Sequence, residues 1–169
     1  MATAITPHGR KSSAAPEELN LFSFLVGKWA GVGKTRLEDG SYAEFELTWI
    51  GRYILDGTAI ADEIHSVGPD GSPYLGISLR QFDSKSGSWI IEYLNVSGSF
   101  LRAQVNSRSG SVEREGDAVV VTAQSEATIS REYYRLSGAD RFVYSIDLSN
   151  DRGQSWNRGS IEMTMTRAE

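Results

Sequence analysis

The sequence predicts an all-β fold, a single antiparallel up-and-down β-barrel of about ten strands with one short N-terminal capping helix. Three observations predict it. After Gly27, apolar residues recur with period two, the strand signal. Turn-forming residues interrupt these runs at intervals of roughly 8–14 residues. No long crossover separates the runs, so successive hairpins favour a meander. A meander of this length closes on itself, because closure removes exposed strand edges.

Residues Met1 to Ala15 are small, polar and aperiodic. They bury too little apolar area to offset ordering entropy, and read as a flexible tail before a barrel domain spanning 16–169. Pro16 sits where a helix favours its first residue, since its missing N–H costs nothing there. Glu17 and Glu18 follow beside the positive end of the helix dipole. Leu19, Phe22 and Leu25 share one face, which suits a helix closing one barrel end.

The strands follow. Ala43, Phe45, Leu47 and Trp49 alternate with Tyr42, Glu44, Glu46 and Thr48. Phe142, Tyr144, Ile146 and Leu148 alternate with Arg141, Ser145 and Asp147, and Ile161, Met163 and Met165 with Glu162, Thr164 and Thr166. Each reads as a strand with one wet face. Asp39-Gly40, Pro69-Asp70-Gly71, Lys85-Ser86-Gly87, Glu115-Gly116-Asp117 and Ser137-Gly138-Ala139-Asp140 suit tight hairpin loops. Strands are expected to begin near residues 28, 42, 53, 73, 88, 99, 111, 118, 127 and 141, with a last one near 157.

Composition bounds the function. The 169 residues fit one domain and can bury a core without staples. With no cysteine, a disulfide framework, a thiolate metal site and a cysteine nucleophile are excluded. The net charge of −5 comes from interspersed charges without a basic block, which argues against nucleic-acid binding. No apolar run is long enough to span a membrane, and no signal-peptide pattern follows Arg10 and Lys11. A cytoplasmic location is expected. Two distant histidines, His8 and His65, do not make a zinc site, so no metal or cofactor is expected.

Several short patterns invite chemistry. Gly31-Val32-Gly33-Lys34-Thr35 imitates the end of a phosphate-binding loop, but Lys28 stands where its first glycine belongs, and a strand rather than a helix follows. Glycines that let a bent strand pass close to its neighbour explain it better. Ser149-Asn150-Asp151-Arg152-Gly153-Gln154-Ser155-Trp156 resembles the Asp-box hairpin Ser-x-Asp-x-Gly-x-x-Trp, in which the aspartate bonds local backbone; the resemblance implies a structural turn.

Candidate site residues fall into two groups. His65 shares a strand face with Glu63, and a histidine–carboxylate pair can act as a general base. Glu92 lies inside the apolar stretch Trp89–Val96. These three are the candidates for moving a proton; the alternative for His65 and Glu63 is an exposed strand end. Arg80 and Arg131 lie within apolar stretches, the latter beside Tyr133. Pointing inward, either must be paired, and a ligand carboxylate or enolate would serve. Pointing outward, each would form cross-strand pairs. Trp29, Trp49, Trp89, Tyr93 and Tyr133 could line a pocket or fill the barrel; both readings predict the same alternation.

Phe24-Leu25-Val26-Gly27-Lys28-Trp29-Ala30-Gly31 is similar to the opening Leu-x-Gly-x-Trp-x-Gly of calycin-type barrels, the lipocalins, fatty-acid-binding proteins and nitrobindins. Gly51-Arg52-Tyr53-Ile54-Leu55-Asp56 and Leu75-Gly76-Ile77-Ser78-Leu79-Arg80-Gln81-Phe82-Asp83, followed by Trp89, resemble a bacterial family of domains of unknown function with this fold. The resemblance covers about residues 19–167 and implies a ligand-sized barrel. Nitrobindins hold haem through a histidine near the C-terminal end; this chain has none after His65, so haem is not expected. Fatty-acid-binding proteins use Arg-x-Tyr in the last strand, whereas Arg131-Glu132-Tyr133 lies several strands earlier.

Three functions follow as expectations. The first is binding of a small, partly apolar or aromatic molecule, with or without an anionic group, inside the barrel. The second is a cofactor-independent lyase, isomerase or cyclase using acid/base residues in the same cavity. The third is a filled barrel with a structural or interaction role. The partner is then a small molecule rather than nucleic acid or membrane, with homodimer formation through one face left open.

Overall fold

The computed structural model describes residues 7–68, 71–97, 104–124 and 128–168, with backbone alone at 97 and 104–109. Ten strands follow one helix: β1 Gly27–Arg36, β2 Tyr42–Ile54, β3 Ala59–Val67, β4 Pro73–Asp83, β5 Ser88–Ser97, β6 Gln104–Glu115, β7 Ala118–Gln124, β8 Ile129–Leu136, β9 Arg141–Ser149 and β10 Asn157–Arg167. Each pairs antiparallel with its sequence neighbours, and β1 pairs with β10 to close the barrel. The seam runs from Trp29 opposite Arg167 to Thr35 opposite Ile161.

Small residues let β1 pass close to both of its neighbours, β10 and β2. A methyl at Gly31 would fall on the carbonyl of Thr164 in β10, and one at Gly33 on the Phe45 ring. Close approach is thus what the glycines of the false phosphate loop provide. At the expected turns, Gly40, Gly71, Gly87, Gly116 and Gly138 all have φ between 64° and 84°. Pro69 and Asp70 lie outside the described residues.

The helix is a 3₁₀ helix over Glu17–Leu25, with Leu19, Phe22 and Leu25 fully buried. Their spacing of three is the repeat of that helix, whose side chains at i and i+3 eclipse. Pro16, expected as the first helical residue, stands just before it in an extended conformation, φ −56° and ψ 147°. Phe22 meets Trp89 edge-on at 5.1 Å and Tyr134 at 6.0 Å, so the helix plugs one barrel end. Arg167 stacks on Trp29 at 4.1 Å and donates to the carbonyls of Val26 and Phe24, tying the helix exit to the last strand.

The segment read as a flexible tail is laid along the barrel from residue 8 onward. Tyr53 N–H donates to the His8 carbonyl at 2.8 Å, Ser12 N–H to the Gly57 carbonyl at 3.0 Å, and Ala15 is buried. Backbone pairing, invisible to an argument from apolar content, holds it there.

Two strand boundaries also differ from expectation. The start expected near 53 is the end of β2, which continues to Ile54; the chain turns at Leu55 and Asp56, both with positive φ, before β3. The start expected near 111 lies inside β6, which runs from Gln104 to Glu115. The starts expected near 99 and 127 lie outside the described residues.

Candidate functional site

Side chains from alternate positions of each strand fill the plugged half of the barrel. Trp29 and Trp89 belong to this core: Trp29 donates to the Leu25 carbonyl at 3.1 Å and packs on Phe142 at 4.8 Å, and Trp89 lies between Phe22 and Phe82. Above this layer the described residues enclose two cavities. An inner chamber of about 160 Å³ is lined by Trp49 from β2, Ser78 and Arg80 from β4, Tyr93 from β5, and Glu132 and Tyr134 from β8, among others. A second chamber of about 190 Å³ lies toward the opposite end, where β3 hands over to β4. Its walls are largely apolar, with Phe45, Ile64, Tyr74, Ile161 and Met163.

A chain of polar side chains crosses the inner chamber. Arg80 and Asp62 form an ion pair whose side chains are 3% and 0% exposed. Residue 62 pairs in register with Ser78, so the contact runs diagonally between β3 and β4. Arg80 also donates to the Tyr134 hydroxyl at 3.1 Å, and that hydroxyl donates to Glu132 at 3.3 Å. The Arg80 guanidinium lies 4.9 Å from the Phe22 ring centroid. Burial pushes the Tyr134 phenol well above its usual range; the charge of Arg80 opposes this and that of Glu132 adds to it.

Not every polar atom in this layer is bonded. Among the described residues, Trp49 Nε1, Arg80 Nε and Asp62 Oδ1 are buried without a hydrogen-bond partner, while Arg80 Nη1 and Asp62 Oδ2 are the atoms of the ion pair. Trp49 and Arg80 thus each line the inner chamber and each hold a buried donor without a partner, at Nε1 and Nε respectively.

The sequence candidates divide by face. Arg80, Tyr93 and Trp49 line the inner chamber. Arg131 and Tyr133 lie on the outer face of β8, where Arg131 pairs with Glu115 at 3.0 Å and stacks on Tyr133 at 5.5 Å. Cross-strand pairing, the outward alternative, describes Arg131. His65 and Glu63 do meet, at 3.4 Å, but outside the barrel, where Arg52 also pairs with Glu63 at 3.2 Å. Glu92 alternates with the inward Ile91 and Tyr93 and so faces outward, opposite Leu79. These three share no cavity with Arg80. Sequence reasoning passed over Asp62, Glu132 and Tyr134. The clue for the last two was their period-two spacing beside Arg131: if Arg131 faces out, Glu132 and Tyr134 face in.

The Asp-box stands at the β9–β10 hairpin. Asp151 accepts from Ser155 N–H at 2.8 Å, from Ser155 Oγ at 2.6 Å and from Ser149 Oγ at 2.8 Å. These bonds, led by that from the Ser155 hydroxyl, lower its carboxyl to about 2.

No family model and no curated protein matches the chain. Solved structures do match in fold. The crystal structure of Rv2717c from M. tuberculosis has a TM-score of 0.61 at 15% identity, covering 92% of this chain and 99% of that one. The S-type phycobiliprotein lyase CPES from Guillardia theta has a TM-score of 0.57 at 9% identity, covering 89% and 92%. The barrel is calycin-like. The opening motif around Trp29 thus marks what it resembles: Trp29 seals the plugged end beneath the helix rather than lining the hollow half. Among the described residues, no group of side chains is placed to hold a metal ion, and no helix is long and apolar enough to cross a membrane.

Proposed function

We propose that the hollow half of the barrel binds a small, partly aromatic molecule carrying a hydrogen-bond acceptor such as a carboxylate or carbonyl. One observation carries this reading: Trp49, 1% exposed, lines the inner chamber with its indole N–H unpaired. An unmade hydrogen bond at a buried donor costs about 1–3 kcal/mol, which a ligand oxygen would offset. Arg80, whose charge Asp62 meets, holds a further donor at Nε, and Tyr93, Tyr134 and Tyr144 supply aromatic walls. Native mass spectrometry of the protein from its own host, before and after denaturation, tests the reading. A retained small molecule supports it. An empty barrel that shifts with no member of a panel of aromatic acids and ketones overturns it.

A second reading has its own observation. The Glu132 carboxylate and Tyr134 hydroxyl are hydrogen-bonded to one another on the chamber wall, with Arg80 behind them. In such an arrangement Glu132 takes a proton from the carbon beside a carbonyl and, once protonated, donates to the Tyr134 oxygen, which frees the Tyr134 hydroxyl to donate to the enolate oxygen; return of the proton to another carbon or a leaving group completes the chemistry of a cofactor-independent lyase, isomerase or cyclase. The phycobiliprotein lyase shares only the fold with this chain, so this reading rests on Glu132. It is separated from simple binding by whether the retained molecule is converted in wild type and left unchanged by Glu132→Gln.

A further inference from the structure

The two chambers share a wall. Ile64, Tyr74, Ile161 and Met163 line both, and Tyr74 reaches across the strand pair to bond its hydroxyl to that of Tyr93. Tyr93 lines the inner chamber alone, so the tyrosine pair stands at the boundary between them. The position of Tyr93 depends on Gly76. A methyl there would lie 2.7 Å from the Tyr93 hydroxyl and would push the end of that ring aside.

Size makes the boundary consequential. Pockets for drug-sized molecules run to about 300–1,000 Å³, and each chamber alone falls short of that range while the two joined enter it. Their chemistry is also divided. Donors and charge sit in the inner chamber, at Trp49, Arg80 and Tyr134, while the outer one is walled mainly by Phe45, Ile64, Ile161 and Met163.

We propose that Tyr74 and Tyr93 form a gate between two halves of one binding site, whose ligand is an elongated molecule with an acceptor-bearing head at Trp49 and Arg80 and an apolar or aromatic tail in the outer chamber. This rests on the binding reading above and adds the ligand's shape, its direction of entry and the residues that control it. Breaking the tyrosine–tyrosine hydrogen bond lets the Tyr74 ring swing aside, and the head passes from the outer chamber into the inner one. The helix bars the other end, because Leu19, Phe22 and Leu25 are fully buried there.

The test uses two fluorescent probes, anilinonaphthalene sulfonate, which has an aromatic body and an anionic head, and N-phenylnaphthylamine, which lacks the head. Stopped-flow binding is followed for wild type, Tyr74→Ala, Gly76→Ala and Trp49→Phe. Gly76→Ala displaces the Tyr93 hydroxyl while keeping both tyrosines, so it serves where Tyr74→Ala folds poorly. The expected result is one sulfonate site per chain, entered about tenfold faster in both gate variants. Trp49→Phe weakens the sulfonate probe about three- to tenfold and leaves the headless probe unchanged. Binding confined to the two gate variants also supports the gate. If the sulfonate probe binds wild type and is weakened by Trp49→Phe, yet enters both gate variants at the wild-type rate, the gate is wrong and the binding site stands. If neither probe binds any of the four proteins, the binding reading falls together with the gate.

Discussion

Arg80 in β4 reaches diagonally to Asp62 in β3, and the two opposite charges are sealed inside the barrel with almost no exposure to solvent. Removing one member of such a pair leaves an uncompensated buried charge, whereas removing both does not. Arg80→Met is therefore expected to cost about 3–5 kcal/mol in urea unfolding, and the double variant Asp62→Leu with Arg80→Met to recover much of it. Equal losses in single and double variants would show that the pair is not what stabilises this layer.

Tyr134→Phe removes the hydroxyl that accepts from Arg80 and donates to Glu132. At neutral pH it is expected to destabilise by about 1–3 kcal/mol, since both partners remain buried or half-buried. The alkaline limb gives a second readout. Because the phenol is raised in the folded protein, its contribution is complete below the ordinary tyrosine value of 10.0 and is lost as pH rises above it. Wild type thus loses stability from about pH 10 upward, and the phenylalanine variant loses less over the same range. Parallel alkaline limbs would refute this.

At the β9–β10 hairpin the sign is reversed. Asp151 is lowered from 3.8 to about 2, so what it contributes is present above the unfolded value and lost as pH falls through the folded one. Amide exchange at Ser155, whose N–H donates to Asp151, is expected to lose protection between those two pH values. Asp151→Asn should weaken that protection at neutral pH and flatten its acid dependence, with no effect on probe binding in the barrel.

Arg167→Lys is expected to destabilise by about 1.5–3 kcal/mol, measured by thermal unfolding. A lysine keeps the charge but cannot stack its plane on Trp29 while donating to Val26 and Phe24 together. A variant as stable as wild type would mean that the 3₁₀ plug is held by its apolar face alone.

Much of the fold was legible in the sequence. The period-two runs of β2, β9 and β10 stood out because one of their faces is wet. The turns were legible because positive φ calls for glycine. The three-residue spacing of Leu19, Phe22 and Leu25 announced a buried helix face before the helix type was known. Where alternation was weak, as in the serine-rich β6, the strand boundary was misplaced.

The site was less legible. Arg80 and Arg131 look alike in sequence, each a cation between apolar neighbours, yet one is sealed against Asp62 and the other pairs with Glu115 on the surface. Composition and periodicity by themselves determined that this chain forms a closed antiparallel barrel with one plugged end, because alternation, turn residues and the need to hide strand edges are local or additive properties. Which face of β4, β5 and β8 turns inward was decided only by the tertiary structure. Those strands carry apolar residues on both faces, so a one-residue change of register costs little in pattern and exchanges every side chain between cavity and surface. The hollow half, the unpaired indole of Trp49 and the meeting of Tyr74 with Tyr93 exist only once distant strands are brought together around a common axis.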